Sequence, residues 1–146
     1  MDTQVATIID RKGAGVATIA PTGTLAEAAE LLARHGIGAL VVSSDGRSVE
    51  GMLSERDIVR HLAVAGSRTP ELAVAEVMTA DVATCTRQTT TDELASLMTT
   101  RRFRHVPVLE DGELIAIVSI GDVVKSRMDE LASETEQLQA YVSGSY

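Results

Sequence analysis

Cysteine and histidine are too scarce in this sequence to build several common kinds of site. Cys85 is the only cysteine, so neither an internal disulfide nor a cysteine-based metal site is expected. His35, His61 and His105 are dispersed, and none has a cysteine or a second histidine at the spacing of metal ligands. We therefore predict no metal site, and we predict that Cys85 is a small apolar residue on a strand.

Motifs of the common enzyme classes are missing as well. The sequence has no glycine-rich phosphate loop, no Gly-x-Ser-x-Gly turn and no nucleophile with a convincing base beside it. No run approaches the ~18 apolar residues that a membrane span needs. The first four residues lack the basic start and the long apolar stretch of a signal peptide. These absences favour a non-enzymatic, cytoplasmic protein that does not enter a membrane.

Positive charge is in the minority. The chain has 13 basic and 21 acidic residues and a net charge of −8, which argues against a nucleic-acid surface as its main function. Arg101, Arg102 and Arg104 nevertheless lie within four consecutive positions. Such a cluster on an acidic protein suits a small phosphorylated ligand, and an exposed, solvated face explains it about as well.

What the chain does contain is an internal repeat. A shift of 66 residues places the first half on the second, and beyond one turn the shift becomes 65. Both halves have the pattern strand, helix, strand, strand, helix. The matches are Val16-Ala17-Thr18 on Val82-Ala83-Thr84, Thr24 on Thr90, Asp45-Gly46 on Asp111-Gly112, Ser54 on Ser119 and Asp57 on Asp122. The predicted strands are 16–20, 39–43 and 49–53 in the first repeat, and 82–86, 105–109 and 114–118 in the second.

The repeat predicts an α/β fold, more narrowly α+β, made of two small domains. A unit of ~60 residues buries too little apolar surface to be comfortable alone, so the two units should pack together with pseudo-twofold symmetry. Short apolar segments at 5–9 and 74–78 lead into the two repeats. We assign residues 5–66 to the first domain, 67–73 to a linker, 74–131 to the second domain and 132–146 to a helical tail.

Each repeat has a Ser-x-x-Asp motif where its last strand meets its last helix. Ser54 and Asp57 form the first copy, and Ser119 and Asp122 the second. A hydroxyl, a carboxylate and free backbone N–H groups meet there, which suits a ligand with hydroxyl and anionic groups. The alternative is a capping box that only begins a helix, and for a single copy it is the commoner explanation. Duplication within the repeat favours the ligand site.

These features resemble the cystathionine-β-synthase (CBS) domain. The resemblance rests on the order of elements, the paired Ser-x-x-Asp junctions, Met78-Thr79 before the second repeat, and Arg102-Phe103-Arg104-His105-Val106-Pro107-Val108. It covers residues 5–131 and implies a stand-alone tandem CBS pair. Such pairs bind adenosine-containing ligands, AMP, ADP or ATP and sometimes NAD or S-adenosylmethionine, in clefts between the two domains. The resemblance thus implies a non-enzymatic regulatory module that changes conformation on binding.

The resemblance also implies roles for individual residues. Asp57 and Asp122 would accept hydrogen bonds from ribose hydroxyls, with Ser54 and Ser119 close to the ribose or phosphate. The residues implied around the adenine are Thr18, Ile37, Gly38, Ala39, Thr84, Phe103 and Pro107, with Thr79 beside them. Those implied near phosphate are Arg56, Arg102, Arg104 and His105.

The two clefts are not expected to be equal. The first repeat has Gly38-Ala39-Leu40-Val41 where the second has Arg104-His105-Val106-Pro107, so the second keeps more of the family pattern. On that ground Asp122 is expected to matter more than Asp57, but the sequence leaves open which repeat supplies the base pocket to which aspartate. His105 as a backbone-bonded strand residue and Pro107 as an edge-strand residue stay open alternatives.

Two functions remain in view, with protein partners in both. The leading one is an adenine-nucleotide sensor that acts on an unknown regulated protein. The alternative is a protein-interaction scaffold whose clefts are vestigial. A homodimer is expected in either case, because the helices after the Ser-x-x-Asp motifs carry apolar residues on more than one face, and Leu131, Leu138 and Val142 add an apolar stripe.

Overall fold

The fold consists of six α-helices and two small β-sheets across the residues that the computed structural model describes, 3–13 and 15–144. The α-helices are α1 (Val5–Lys12), α2 (Leu25–His35), α3 (Glu55–Ala65), α4 (Val74–Val77), α5 (Thr91–Arg101) and α6 (Ile120–Val142). The strands are β1 (Thr18–Ile19), β2 (Ala39–Val42), β3 (Gly51–Ser54), β4 (His105–Glu110) and β5 (Glu113–Ser119). This mixed architecture confirms the predicted α+β class.

The helices begin and end where local chemistry favours it. Thr24, Ser54, Thr90 and Ser119 are N-caps whose hydroxyls each accept a hydrogen bond from a backbone N–H one turn on. Gly36 ends α2 in the left-handed conformation, which glycine adopts without strain. The equivalent position after α5 is Arg102, not a glycine.

The two sheets differ although the repeats match. In the first, β1 runs parallel to β2, which pairs antiparallel with β3; the second holds only the hairpin β4–β5. The strand predicted at 82–86 is therefore wrong, because this segment pairs only through an isolated bridge from Cys85 to Val108. In the first sheet Val41 N–H donates to Ala17 O, whereas Pro107, the residue equivalent to Val41, has no N–H to donate.

The helix that precedes each repeat in sequence packs in the core of the other repeat, so α1 and α4 are exchanged between the repeats. Val5, Ile8 and Ile9 of α1 are buried against β4, β5 and α5 of the second repeat. The short helix α4, which leads into the second repeat, is buried in the core of the first. Burying a side chain of this size contributes about 1.5–3 kcal/mol, so each exchanged helix is an integral part of the other repeat's core. Packing thus crosses the predicted division between the domains at residues 67–73.

The predicted linker and tail are both ordered helices. Gly66–Glu71 forms a 3-10 helix in which Thr69 is buried and its hydroxyl donates to Gly66 O at 2.7 Å. The tail continues α6 without a break as far as Val142, leaving Leu131 and Leu138 exposed. No helix within 3–13 and 15–144 is long and apolar enough to cross a membrane. Residues 145 and 146 of the predicted tail lie outside the described residues.

Candidate ligand-binding cleft

One cleft brings together most of the residues that the resemblance implied. It has a volume of about 320 Å³ and lies between the end of the first sheet and the loop that precedes β4. The first repeat contributes Gly38, Ala39, Met52, Ser54, Glu55, Arg56, Asp57 and Arg60. The segment after α4 contributes Thr79, Val82 and Ala83, and the loop between α5 and β4 contributes Arg102, Phe103, Arg104 and His105. The cleft is therefore built from both repeats.

The Ser54 to Asp57 junction forms a capping box and still leaves part of its carboxylate available. Asp57 Oδ2 accepts hydrogen bonds from Ser54 N at 2.9 Å and from Ser54 Oγ at 3.1 Å, and Ser54 Oγ accepts from Asp57 N. Asp57 is half-buried on the wall of the cleft. Among the described residues, none donates a hydrogen bond to its Oδ1. Capping and ligand binding are thus compatible at this residue, because they use different oxygens.

The cleft is also lined by the basic segment that sequence analysis singled out. Arg102 adopts the left-handed conformation (φ 58°) at the end of α5, where the first repeat has Gly36. The guanidinium of Arg101 lies 5.4 Å from the centre of the Phe103 ring, a cation–π distance that holds the ring at the cleft wall. The sequence left open which repeat faces which aspartate. The structure places the basic loop of the second repeat in the same cleft as Asp57 of the first.

His105 is half-buried at the end of this segment. Burial lowers the pKa of its imidazole, and the positive charge of Lys12 lowers it further, whereas the carboxylates of Asp122 and Glu55 act in the opposite direction. The ring is therefore neutral near neutral pH. It offers a hydrogen-bonding nitrogen to a ligand, not a full positive charge, so the arginines are the cationic groups of the cleft.

Sequence analysis missed two close contacts on the floor of the cleft. A Cβ at Gly38 would lie 2.9 Å from Glu55 Oε1 and 3.4 Å from His105 Cε1, so a larger residue there would require the Glu55 side chain to shift. Thr79 exchanges two backbone hydrogen bonds of 2.9 Å with Met52, which extends the sheet edge to the cleft. Glu55 follows the capping serine in sequence, and its position in the first helical turn was the only signal that could have drawn attention to it.

The second junction has a different environment. Ser119 and Asp122 form the same capping box, yet neither lines the cleft. Lys12 Nζ lies 2.6 Å from Asp122 Oδ2 and donates to Ile117 O at 3.0 Å. Burial raises the pKa of Asp122, but the hydrogen bonds from Lys12 and from Ser119 N outweigh burial and hold that pKa below its ordinary value. Asp122 is thus already engaged by a cation from α1.

Four other predicted residues lie away from the cleft. Thr18 is on β1, paired with Val41, and Thr84 is exposed in the segment before Cys85. Ile37 lines a separate apolar groove between α2 and α3. Pro107 is buried in β4. Of the sixteen predicted residues the cleft gathers ten, and Thr18, Ile37, Thr84, Pro107, Ser119 and Asp122 remain outside it.

Fold and site together define a tandem regulatory module of two interleaved α+β repeats. The family model of the CBS domain matches residues 5–64 and 74–129, and the chain belongs to that family. This confirms the family that the duplicated junctions predict.

Known proteins agree with this assignment. The chain is 36% identical over 127 residues to the mitochondrial CBS domain-containing protein CBSX3 of Arabidopsis thaliana, covering 84% of this chain but only 62% of that protein. It is 47% identical to a CBS-domain containing protein of Agrobacterium tumefaciens of known structure, with a TM-score of 0.82 over 86% of this chain and 99% of the other. CBSX2, solved in complex with AMP, has a TM-score of 0.71 over 86% of this chain and 97% of its own, and at 23% identity it supports the fold alone.

Proposed function

We propose that this protein is a non-enzymatic sensor that binds an adenosine-containing nucleotide in the cleft between its repeats. The observation that carries the proposal is that Asp57 and the Arg102 to His105 segment, from different repeats, line one cleft. A cavity of about 320 Å³ falls within the size range of small-molecule sites. A nucleotide has both groups that these residues recognise, ribose hydroxyls for a carboxylate and phosphates for arginines.

The ribose would bind at Asp57. Its Oδ1 can accept a hydrogen bond while Oδ2 continues to cap α3, so binding costs the helix nothing. Hydrogen bonds to a charged acceptor contribute about 1.5–3 kcal/mol. Ser54 and the first N–H groups of α3 lie beside this carboxylate and offer further polar partners.

The phosphates would bind where the arginines converge. Arg56 and Arg60 reach the cleft from α3, and Arg102 and Arg104 reach it from the other repeat. Charge-assisted hydrogen bonds from guanidinium groups to phosphate are shorter and stronger than neutral ones. The affinity should therefore rise with the number of phosphates, as long as the cleft can hold the longer ligand.

The adenine would lie among the least polar groups of the cleft, Val82, Ala83 and Phe103. Pro107 offers no N–H to the carbonyl of Ala83, whereas the equivalent carbonyl of Ala17 is bonded to Val41. The carbonyl of Ala83 can therefore accept a hydrogen bond from an amino group of the base.

Binding would act on the relation between the two repeats. A ligand held by Asp57 and by the Arg102 loop contacts both repeats, so it favours the arrangement in which both are in reach. The regulated protein would respond to that shift. Such a role requires no catalysis. Within the described part of the chain, no group of three or more His, Cys, Asp or Glu side chains is arranged to hold a metal ion.

We also propose a homodimer formed through α3 and α6. Val59 and Leu62 on α3 and Val124 and Met128 on α6 are each more than half exposed. An apolar surface of this kind on helices at equivalent positions is suited to a second copy of this chain.

A scaffold that holds a partner protein and leaves its clefts unused is the second candidate function. The exposed turns of α6 beyond Leu131 favour it.

Nucleotide-dependent stability separates the two functions. AMP, ADP, ATP, NAD and S-adenosylmethionine are added one at a time to the full chain, and the unfolding midpoint is measured. A ligand at 100 times its dissociation constant adds about 2.7 kcal/mol to the free energy of unfolding. If any of the five ligands raises the unfolding midpoint and Asp57→Asn reduces that rise, the sensor is supported. If none of the five raises the midpoint, the scaffold is supported.

A further inference from the structure

Helix α1 is longer than its counterpart in the other repeat. It spans Val5–Lys12, whereas α4 spans Val74–Val77. Both helices begin with Val-Ala, yet the following Val-Ala-Thr segment comes three residues later in the first repeat. The extra residues form one additional helical turn, which ends in Arg11 and Lys12.

This additional turn is fastened to the start of α6. Lys12 Nζ lies 2.6 Å from Asp122 Oδ2 and 3.0 Å from Ile117 O, and Arg11 Nη1 lies 2.7 Å from Asp129 Oδ2. The Asp122 side chain is 24% exposed and that of Lys12 is 39% exposed. The contact is thus partly sheltered, and both acceptors of the lysine belong to the second junction.

Both of these acceptors have equivalents in the cleft of the first repeat. Asp122 corresponds to Asp57, and Ile117 corresponds to Met52, which also lines that cleft. The short helix α4, Val74–Val77, contains no lysine or arginine, and no cation within the described residues forms an ion pair with Asp57. The two junctions therefore share a sequence pattern but differ in what meets their carboxylates.

We propose that Lys12 prevents nucleotide binding at the second Ser-x-x-Asp junction by neutralising the carboxylate that a ribose would need, so that each chain binds a single nucleotide at Asp57. This inference rests on the proposed nucleotide function. Lys12 Nζ and Ser119 N share Asp122 Oδ2, and the ammonium also donates to Ile117 O, so a ribose at Asp122 would meet a bound ammonium that already neutralises the carboxylate. No cation among the described residues bonds to Asp57. One turn of helix therefore makes the two junctions unequal.

Calorimetric titration with AMP tests this through the number of ligands bound per chain. Wild type should bind one AMP, and Lys12→Met, which keeps the length of the side chain but removes its charge, should bind two. Arg11→Met is the matched control, because it removes the neighbouring ion pair of the same turn without touching Asp122, and it should still bind one. Lys12→Gln, which is uncharged but keeps a donor for Ile117 O, gives a second test variant.

Double variants assign the second binding event. Lys12→Met with Asp57→Asn should retain the new site, and Lys12→Met with Asp122→Asn should lose it. Two AMP molecules bound to wild type, or one bound to both Lys12 variants while wild type also binds one, would overturn the inference and leave the sensor function standing. An absence of binding in every variant would instead overturn the sensor function and the inference with it.

Discussion

Replacing Asp57 with asparagine separates capping from ligand binding at the same residue. Asparagine keeps a side-chain oxygen that can accept from Ser54 N, so α3 should begin as before and the free energy of unfolding should change by less than ~1 kcal/mol. The charged acceptor for the ribose is lost, however. Losing a hydrogen bond to a charged group costs about 1.5–3 kcal/mol of binding free energy, which is roughly a ten- to 150-fold weaker affinity.

The assay combines calorimetric titration with AMP and urea unfolding midpoints of the same preparations. Glu93→Gln is the matched control, because Glu93 forms the same kind of capping box with Thr90 on α5 and does not line the cleft. It should change stability about as much as Asp57→Asn and leave the affinity as it is. If Asp57→Asn lowers stability but binds AMP like wild type, the ribose role is refuted and Asp57 is only a cap.

Four further outcomes follow from the structure. Arg102→Ala combined with Arg104→Ala should weaken ATP more than AMP and leave adenosine nearly unaffected in titrations, because only phosphate loses a partner. Arg102→Gly should raise the free energy of unfolding by up to ~1 kcal/mol in urea, since the side chain is held at positive φ. Light scattering at micromolar concentration should give about twice 15.4 kDa, and a monomer there would refute the dimer. The folded-state pKa of Asp122 lies below its ordinary value of 3.8, so the ionised carboxylate stabilises the fold above pH 3.8 and this stabilisation is lost as the pH falls through the lowered pKa. Lys12→Met removes a cause of the lowered pKa, so urea midpoints of this variant should fall less on acidification than those of wild type.

Local sequence signals predicted the elements well because their causes are local. The four capping residues and Gly36 act on the backbone within a few positions of themselves, so their effect can be predicted without knowing the fold. The prediction of a strand at 82–86 was wrong for a reason that was already present in the sequence. Pro107 cannot donate the hydrogen bond that Val41 donates in the first repeat, and aligning the two repeats residue by residue would have revealed it.

The composition of the cleft was less accessible to sequence analysis. The basic segment and Asp57 could each be singled out, but their meeting depends on how the two repeats pack around the exchanged helices α1 and α4. The expectation that Asp122 matters more than Asp57 assumed that the basic segment serves its own repeat. The structure brings that segment into the same cleft as Asp57, so we now propose the reverse order of the two aspartates.

Duplication gives two equivalent junctions, and equivalent junctions should bind alike unless something distinguishes their surroundings. Here the distinguishing feature lies outside both motifs, in the turn that ends at Lys12. A lysine in the last turn of a helix is commonly placed by the helix dipole, so its sequence position gave no reason to connect it with a residue more than one hundred positions away. The exchange of leading helices makes that connection. Because α1 packs on the second repeat, a change in its length acts on Asp122 and leaves Asp57 untouched, and the two junctions can therefore diverge without any change in the Ser-x-x-Asp motifs.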